Sequence, residues 1–263
     1  MKIGISSASF FNKEVTENSF GLMKKLGFDT AEVFLTTFCE YEKDFVDDLE
    51  QRRLQNGITV YSVHSLNQQF EPELYNANPR TYNDALFFYK KLCYAAQALK
   101  AKYYTFHGPA LLKRTVYKFD FKYLGERTRE ICRIIGEYDA GLAYENVHWT
   151  YFSVPDFFEN LKKEAPDVKA CLDIKQAMQS KLPYENFLNV MADRLVNVHL
   201  CDYDGDRLCV PGQGVFDFVT LFKRLKDCGY DGPLLMELYS KDYNDYGEIL
   251  KGYDYLRECL AKA

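Results

Sequence analysis

The sequence lacks the features that would direct it to a membrane or to a nucleic acid. It contains no uninterrupted apolar run of the roughly 18 residues that a membrane-spanning helix needs. Basic residues are not in surplus, because 33 Lys and Arg residues are outnumbered by 38 Asp and Glu residues, and the net charge is −5. Affinity for phosphate backbones depends on clustered positive charge. We therefore expect no membrane partner, and a nucleic acid is a poor candidate for the ligand.

The cysteines show no pairing pattern. Eight cysteines are scattered over 263 residues without a C-x-x-C pair. This distribution is typical of reduced, mostly buried thiols rather than of a disulfide scaffold. The N-terminal stretch MKIGISSASFF has one lysine and then an apolar run that polar residues interrupt, which does not match a secretory signal. Together these features predict a cytoplasmic protein.

Neither of the common glycine-rich phosphate-binding signatures is present. The stretch Pro211–Gly214 contains two glycines but lacks the third glycine of the dinucleotide fingerprint, and it follows a loop rather than a strand. No G-x-x-x-x-G-K-[ST] sequence occurs either. An open, doubly wound parallel sheet would be expected to carry one of these signatures, so their absence argues against that fold.

What the chain has instead is a regular alternation of strand-like and helix-like segments. The predicted strands are Lys2–Ser7, Thr30–Leu35, Ile58–Ser65, Tyr103–His107, Gly141–Val147, Val168–Ile174, Leu195–Asp202 and Gly232–Tyr239. Segments of helical period lie between them, such as Val15–Leu26, which is predicted to end at Gly27. With 47% hydrophobic residues and no linker, residues 1–263 are expected to form one domain. Eight strands alternating with helices predict an α/β fold of the (β/α)8 TIM-barrel type.

Polar residues that can bind a metal or take part in a reaction lie at the ends of these strands. The carboxyl ends of barrel strands converge on one rim, which carries the active site in enzymes of this fold. The residues at or near those ends are His64, His107, Glu145, Asp173, His199 and Glu237. Ionised side chains are seldom buried in apolar strands without a partner. We therefore expect them to share a function at the rim.

The carboxylates at this rim require neutralisation. Glu145, Asp173 and Glu237 would repel one another, so either their pKa values rise or a cation lies between them. With His199 they form an oxygen-rich set with one imidazole, which suits Mn²⁺ or Mg²⁺ and would also accept Zn²⁺ or Co²⁺. The predicted cofactor is therefore a divalent metal ion held by these four residues. The simpler alternative is that a nearby Lys or Arg pairs with the buried carboxylates.

Other polar residues near the rim are candidates for contacts with a substrate. His64 and His107 could complete a second metal site with Glu145 or could bind substrate directly. Gln176 follows Asp173 closely, and an amide can donate to a hydroxyl. Arg207 lies in the loop after the seventh strand, where it would reach a hydroxyl or a phosphate; a solvated surface charge is the alternative.

At these positions the sequence resembles the xylose-isomerase-like (β/α)8 superfamily, which includes sugar isomerases, tagatose 3-epimerase-type enzymes and endonuclease IV. The resemblance spans nearly the whole chain, and the motifs follow the family order. They are VHS, FHGP, AYEN, CLDIKQ, NVHLCD, PGQG and LLMELY. It implies an isomerase or epimerase of a small sugar, sugar phosphate or polyol. It implies metal binding by Glu145, Asp173, His199 and Glu237, with Glu145 and Glu237 as the catalytic proton-transfer groups.

The resemblance also leaves alternatives. His64, His107 and Glu145 match the first zinc site of endonuclease IV, which makes a metallophosphodiesterase acting on abasic DNA the second hypothesis. Against it, Gln176 and Leu208 stand where that enzyme type has histidines. The third hypothesis is another reaction, such as dehydration of a polyol, or a non-catalytic binding module that retains the fold. The expected partner is a small sugar molecule, and a homodimer remains open.

Overall fold

The computed structural model describes residues 1–66, 70–111 and 118–263, and within these ranges a closed barrel of eight parallel strands dominates the fold. The barrel strands are β1 (Lys2–Ser6), β2 (Thr30–Leu35), β3 (Thr59–Ser65), β4 (Tyr103–Phe106), β5 (Gly141–Glu145), β6 (Lys169–Asp173), β7 (Leu195–Leu200) and β10 (Pro233–Met236). Each strand pairs with the next, and β10 pairs with both β7 and β1. The predicted TIM barrel is therefore confirmed.

Helices follow the strands and cover the outside of the barrel. They are α1 (Ser19–Lys25), α2 (Lys43–Asn56), α3 (Pro79–Ala98), α4 (Phe121–Gly136), α5 (Pro155–Glu164), α6 (Ile174–Gln179), α7 (Tyr184–Met191), α8 (Phe218–Asp227) and α9 (Tyr246–Lys262). Parallel strands covered in this way are buried on both faces, and most of their residues are inaccessible to solvent. No helix in the described part of the chain is both long enough and apolar enough to cross a membrane. All eight cysteines are free thiols.

Thr30–Leu35 keeps its predicted bounds, and the other seven barrel strands differ from theirs by one to three residues at an end. The first helix was expected over Val15–Leu26, but a 3₁₀ turn at Thr16–Asn18 precedes α1. Local side-chain bonding favours this turn, because the Ser19 hydroxyl donates to the Thr16 carbonyl at 2.6 Å. The seventh strand was expected to reach Asp202 but ends at Leu200.

Asp202 ends that strand by organising the next loop. The chain continues into an antiparallel hairpin of β8 (Asp202–Asp204) and β9 (Arg207–Cys209). The Asp202 carboxylate then accepts hydrogen bonds from the backbone N–H groups of Gly212, Gly214 and Phe216, at 2.8, 3.1 and 3.0 Å. One buried carboxylate thus holds the PGQG turn against the barrel.

A glycine two residues beyond the end of β4 is predicted to be essential for stability. Gly108 has φ +74°, and a Cβ there would lie 1.8 Å from the hydroxyl oxygen of Tyr144, which is fully buried. Gly108→Ala should lower the free energy of unfolding by about 2–4 kcal/mol. Gly136→Ala is the matched control, because a Cβ there meets nothing within 4 Å, and it should stabilise the protein by at most about 1 kcal/mol. Urea denaturation measures both; equal stabilities would contradict the prediction.

Candidate metal centre and active site

Four strand ends bring the predicted metal ligands to one point. Glu145 and Asp173 are the last residues of β5 and β6, His199 is next to last in β7, and Glu237 directly follows β10. The sheet register pairs Asp173 with His199. One donor atom from each of the four lies within 4.8 Å of the others, and all four side chains are buried. The structure therefore groups the residues that the sequence singled out; their role as ligands stays a prediction.

The chemistry of this group fits a divalent ion. Oδ1 of Asp173 accepts a hydrogen bond from the backbone N–H of Gln176 at 2.9 Å, which caps α6. Oδ2 is buried, and a cation already contacts it, the ammonium of Lys175 at 3.0 Å. A buried carboxylate oxygen that attracts a cation, among two further carboxylates and an imidazole, belongs to the ligand set expected for Mn²⁺, Mg²⁺, Zn²⁺ or Co²⁺.

The imidazole of His199 lies between carboxylates on its two sides. Its Nδ1 is 3.0 Å from Oε1 of Glu145 and 3.5 Å from Oε2 of Glu237, on the side of the metal group. Its Nε2 is 3.2 Å from Glu32, a fully buried residue of β2. A carboxylate that accepts the proton of one ring nitrogen directs the other nitrogen toward a metal. Glu32 is therefore in position to orient His199.

Sequence reasoning missed Glu32, although a signal existed. It stands inside the apolar run TAEVFL, in the same kind of context as Glu145. Within the barrel its carboxylate accepts hydrogen bonds from Ser6 Oγ (3.0 Å), Ser62 Oγ (2.7 Å), Thr105 Oγ1 (2.7 Å) and Asn197 Nδ2 (3.2 Å). Burial disfavours the charge, but the imidazoles of His199 and His64 together outweigh it and lower the pKa of Glu32 to about 2.

The two remaining rim histidines lie beside Glu145. His64 Nδ1 donates to the carbonyl of Thr105 at 2.9 Å, and because a carbonyl can only accept, this nitrogen carries the proton. Its Nε2 then faces Oε2 of Glu145 at 3.8 Å. His107 Nε2 lies 3.3 Å from the same oxygen. Donor atoms of His64, His107 and Glu145 also lie within 4.8 Å of one another, so they form a second group able to hold a metal.

A buried glutamate supports His107 from behind. Glu71 lies 3.4 Å from His107 Nδ1 and accepts hydrogen bonds from the backbone N–H groups of His107 (2.9 Å) and Gly108 (3.2 Å). The Tyr104 hydroxyl also donates to it. Glu71 belongs to a 3₁₀ segment between β3 and α3. No sequence signal marked it, because its partners come from a distant strand.

A lysine also lies among the carboxylates. Lys175 is the second residue of α6, and its side chain is 3% exposed. Its Nζ lies 2.5 Å from Oε2 of Glu237 and 3.0 Å from Oδ2 of Asp173. The alternative to a metal that the sequence left open, pairing with a nearby lysine, is therefore present in the structure.

The charges of the group push its pKa values apart. Burial, together with the Glu145 and Glu237 carboxylates, outweighs Lys175 and raises the pKa of Asp173 to about 7. Burial acts in the same direction on Glu237, but the ammonium of Lys175 and the imidazole of His199 hold its pKa well below the usual range. Two carboxyl groups in one site with opposite pKa shifts are typical of catalytic centres.

A cavity of about 270 Å³ opens above this group. Glu145 and Glu237 line it, whereas Asp173 and His199 are not among its lining residues. The apolar part of its wall is mainly aromatic, with Phe11, Phe34, Trp149 and Tyr239 beside the smaller Ala8, Leu66 and Leu238. A cavity of this size with an aromatic wall and a polar floor suits a small polyhydroxylated molecule.

The predicted substrate-binding residues fall into two places. His64, His107 and Gln176 line the cavity. The Gln176 carbonyl oxygen accepts a hydrogen bond from His148 Nδ1 at 2.6 Å, which fixes the orientation of its amide. Arg207 lies on the exposed hairpin, where its side chain is 68% exposed and 4.0 Å from Asp204, and it does not line the cavity. A substrate contact of Arg207 stays a prediction without a contact in this structure.

Comparison with known proteins identifies the fold and its relatives. A family model described as xylose isomerase-like TIM barrel matches residues 20–259. L-ribulose-5-phosphate 3-epimerase UlaE of Shigella boydii serotype 18 is 42% identical over 53 residues, which is 20% of this chain and 19% of that relative.

Solved structures are similar over the whole chain. D-psicose 3-epimerase from Clostridium cellulolyticum H10 has a TM-score of 0.79 at 19% identity and covers 99% of both chains. The IolI protein with a bound zinc atom has a TM-score of 0.81 at 18% identity, over 100% of this chain and 99% of the other. Because the family model spans most of the sequence and the barrel agrees with it, the chain belongs to the xylose isomerase-like TIM-barrel family.

Proposed function

We propose that this protein is a divalent-metal-dependent isomerase or epimerase of a small sugar, sugar phosphate or polyol. The observation that carries the proposal is the convergence of Glu145, Asp173, His199 and Glu237 beneath a small aromatic-walled cavity. Sugar epimerases among the similar proteins, and a zinc-bound relative of the same fold, support it. Membership of the family supports the isomerase class, and the identity of the ion is left among Mn²⁺, Mg²⁺, Zn²⁺ and Co²⁺.

The positions of the four residues suggest a division of labour. Asp173 and His199 lie behind the cavity and would hold the ion, together with Glu145 and Glu237. When bound, the ion would supply Lewis acidity at the substrate carbonyl and at a neighbouring hydroxyl. Glu145 and Glu237 also line the cavity, so their oxygens would be placed to reach the carbon that bears this hydroxyl and to move its proton. Trp149 and Tyr239 would pack against the apolar face of the sugar and exclude water.

Isotope exchange tests the proposal directly. Purified protein loaded with Mn²⁺ is incubated in D₂O with a panel of ketoses, aldoses and their phosphates, and the products are followed by NMR. We expect deuterium to enter one carbon, and the product tells whether the change is an isomerisation or an epimerisation. Absence of exchange with every member of the panel at full metal occupancy would refute the proposal.

Metal removal should also change stability. A ligand that binds only the folded state at about 100 times its Kd stabilises that state by about 2.7 kcal/mol. We therefore expect EDTA to lower the unfolding temperature and Mn²⁺, Zn²⁺ or Co²⁺ to restore it. Arg207→Ala is the control, since that side chain lies outside the cavity and the shift should persist. If none of the ions shifts the transition of the chelated protein, the four residues do not form a metal site.

The second group of possible metal ligands supports an alternative function. His64, His107 and Glu145 could hold an additional ion, as a metallophosphodiesterase acting on abasic DNA would require. The net charge of −5 gives that reading little electrostatic support. Zinc-dependent nicking of an abasic duplex, without isotope exchange into any sugar, would establish it in place of the isomerase.

A further inference from the structure

The ammonium group of Lys175 lies on the oxygens that a metal ion would need. Its Nζ contacts Oε2 of Glu237 at 2.5 Å and Oδ2 of Asp173 at 3.0 Å. Both residues belong to the group whose donor atoms lie within 4.8 Å of one another. A metal ion bound to those two oxygens would therefore lie within contact distance of the Lys175 ammonium group, and the two positive charges would repel each other.

This position follows from the way α6 begins. Asp173 ends β6 and caps α6 with Oδ1, so the helix starts at the rim itself. Lys175 is the second helical residue, and its stem turns back over Oδ2 of the same aspartate rather than into solvent. Among the lysines that the structure describes, it is the one that is buried. A buried lysine with two carboxylate partners is a built feature of the site, not a solvated surface charge.

We propose that Lys175 and the divalent ion are alternative counter-ions of the Asp173–Glu237 pair, so that the ion must displace the ammonium in order to bind. The inference rests on the metal site of the proposed function. In the metal-free protein Lys175 neutralises the two carboxylates and preserves the shape of the site. On loading, the ammonium leaves them and lies at the wall of the cavity, which it already lines beside Tyr239, 5.0 Å from that ring.

If the metal ion has to displace Lys175, its affinity for the site is reduced by the cost of that displacement. Removing the ammonium from two carboxylates costs the same free energy whichever ion arrives. The cost therefore lowers the affinity for every divalent ion by one common factor and leaves their relative order unchanged. Ions that bind weakly, such as Mg²⁺, would then fail at concentrations at which Zn²⁺ or Mn²⁺ still binds.

Metal titrations of a charge-removing variant test this prediction. Lys175→Met keeps the length of the stem and removes the charge, whereas Lys241→Met is the control, because Lys241 is exposed and lies near the same Tyr239 ring. Affinities for Mn²⁺ and Zn²⁺ are measured by chelator competition without substrate. We expect Lys175→Met to bind both ions about tenfold or more tightly than the native protein, by the same factor, and to unfold at a lower temperature in EDTA. The control should match the native protein.

Unchanged or weaker metal binding by Lys175→Met would overturn the inference, and so would a gain confined to one ion. If the variant folds only with metal present, that result agrees with the loss of its resident counter-ion. A measurement on the native protein covers the case in which it does not fold at all. With ¹⁵N-labelled lysine, the slowly exchanging ammonium signal of Lys175 should be present in EDTA and should move or disappear on saturation with Zn²⁺. A signal that stays unchanged at saturation would refute displacement.

These outcomes are separate from those of the isotope-exchange experiment. Tighter metal binding by Lys175→Met without exchange into any sugar would retain the competition and remove the isomerase. Isotope exchange by the native protein, together with a metal affinity that Lys175→Met leaves unchanged, would retain the isomerase and remove the competition. If neither the native protein nor the variant binds any of the ions, the competition is overturned.

Discussion

Replacement of Glu237 by glutamine is expected to reduce kcat by about 10²- to 10⁴-fold at saturating metal, the range for the loss of one acid–base group. Glu237 is a candidate for proton transfer because its carboxylate lines the cavity. In the metal-free site Lys175 and His199 keep its pKa well below the usual range, although burial opposes the charge. An amide of the same shape cannot accept a proton from carbon.

The same substitution should separate chemistry from metal binding. Glu237→Gln removes a predicted ligand and a partner of Lys175, so metal affinity is measured first and kcat is then compared at full occupancy. Glu248→Gln is the control, because Glu248 is a partly exposed residue in the first turn of α9 that accepts a hydrogen bond from Asn244. A decrease in kcat of less than about tenfold at full occupancy would show that Glu237 does not move the proton.

Replacement of Glu32 by glutamine should lower the free energy of unfolding by about 2–4 kcal/mol, since it breaks a buried charged pair and its hydrogen bonds. The Glu32 carboxylate accepts bonds from Ser6, Ser62, Thr105 and Asn197, and it faces His199 Nε2. The NH₂ group of a glutamine at that position would direct its N–H donors at the hydroxyl and amide donors that now bind the carboxylate. The Asn197 amide also donates at this point, so the conflict cannot be relieved by turning hydroxyls alone.

Loss of this carboxylate should also weaken metal binding. Without an acceptor at Nε2, His199 no longer has its Nδ1 fixed toward the group, and partners of this kind contribute about 10- to 100-fold to affinity. Glu40→Gln is the matched control, because Glu40 is a buried carboxylate that accepts bonds from Thr16 and Thr36 outside the metal group. The two variants are compared by urea denaturation and by Mn²⁺ titration. If Glu32→Gln binds Mn²⁺ as tightly as Glu40→Gln, Glu32 has no orienting role.

The grouping of the rim residues was predictable because of a geometric rule. Parallel strands that close into a barrel bring their carboxyl ends to one rim, so that position within a strand translates into position in space. Glu145, Asp173 and His199 satisfy this rule at the last or next-to-last position of their strands. Apolar strands containing isolated acids therefore pointed to one site before any coordinates were known.

The supporting residues could not be found in this way. Glu71 comes from a 3₁₀ segment, and its contact with His107 depends on where that segment packs in the folded protein. Arg207 was predicted from its position in the sequence just after the seventh strand. Its side chain is exposed on the hairpin and does not line the cavity, so a substrate contact of Arg207 stays a prediction.

The barrel, the order of its strands and the set of polar strand ends follow from the amino-acid sequence, because they depend on local periodicity and on a rule that holds for all parallel barrels. Which charges face one another depends instead on the folded arrangement of the side chains. That arrangement places Glu32 against the far nitrogen of His199 and turns Lys175 back onto Asp173 and Glu237. These pairings depend on the direction of side chains across the barrel. Burial then makes each pairing strong, since water does not screen it.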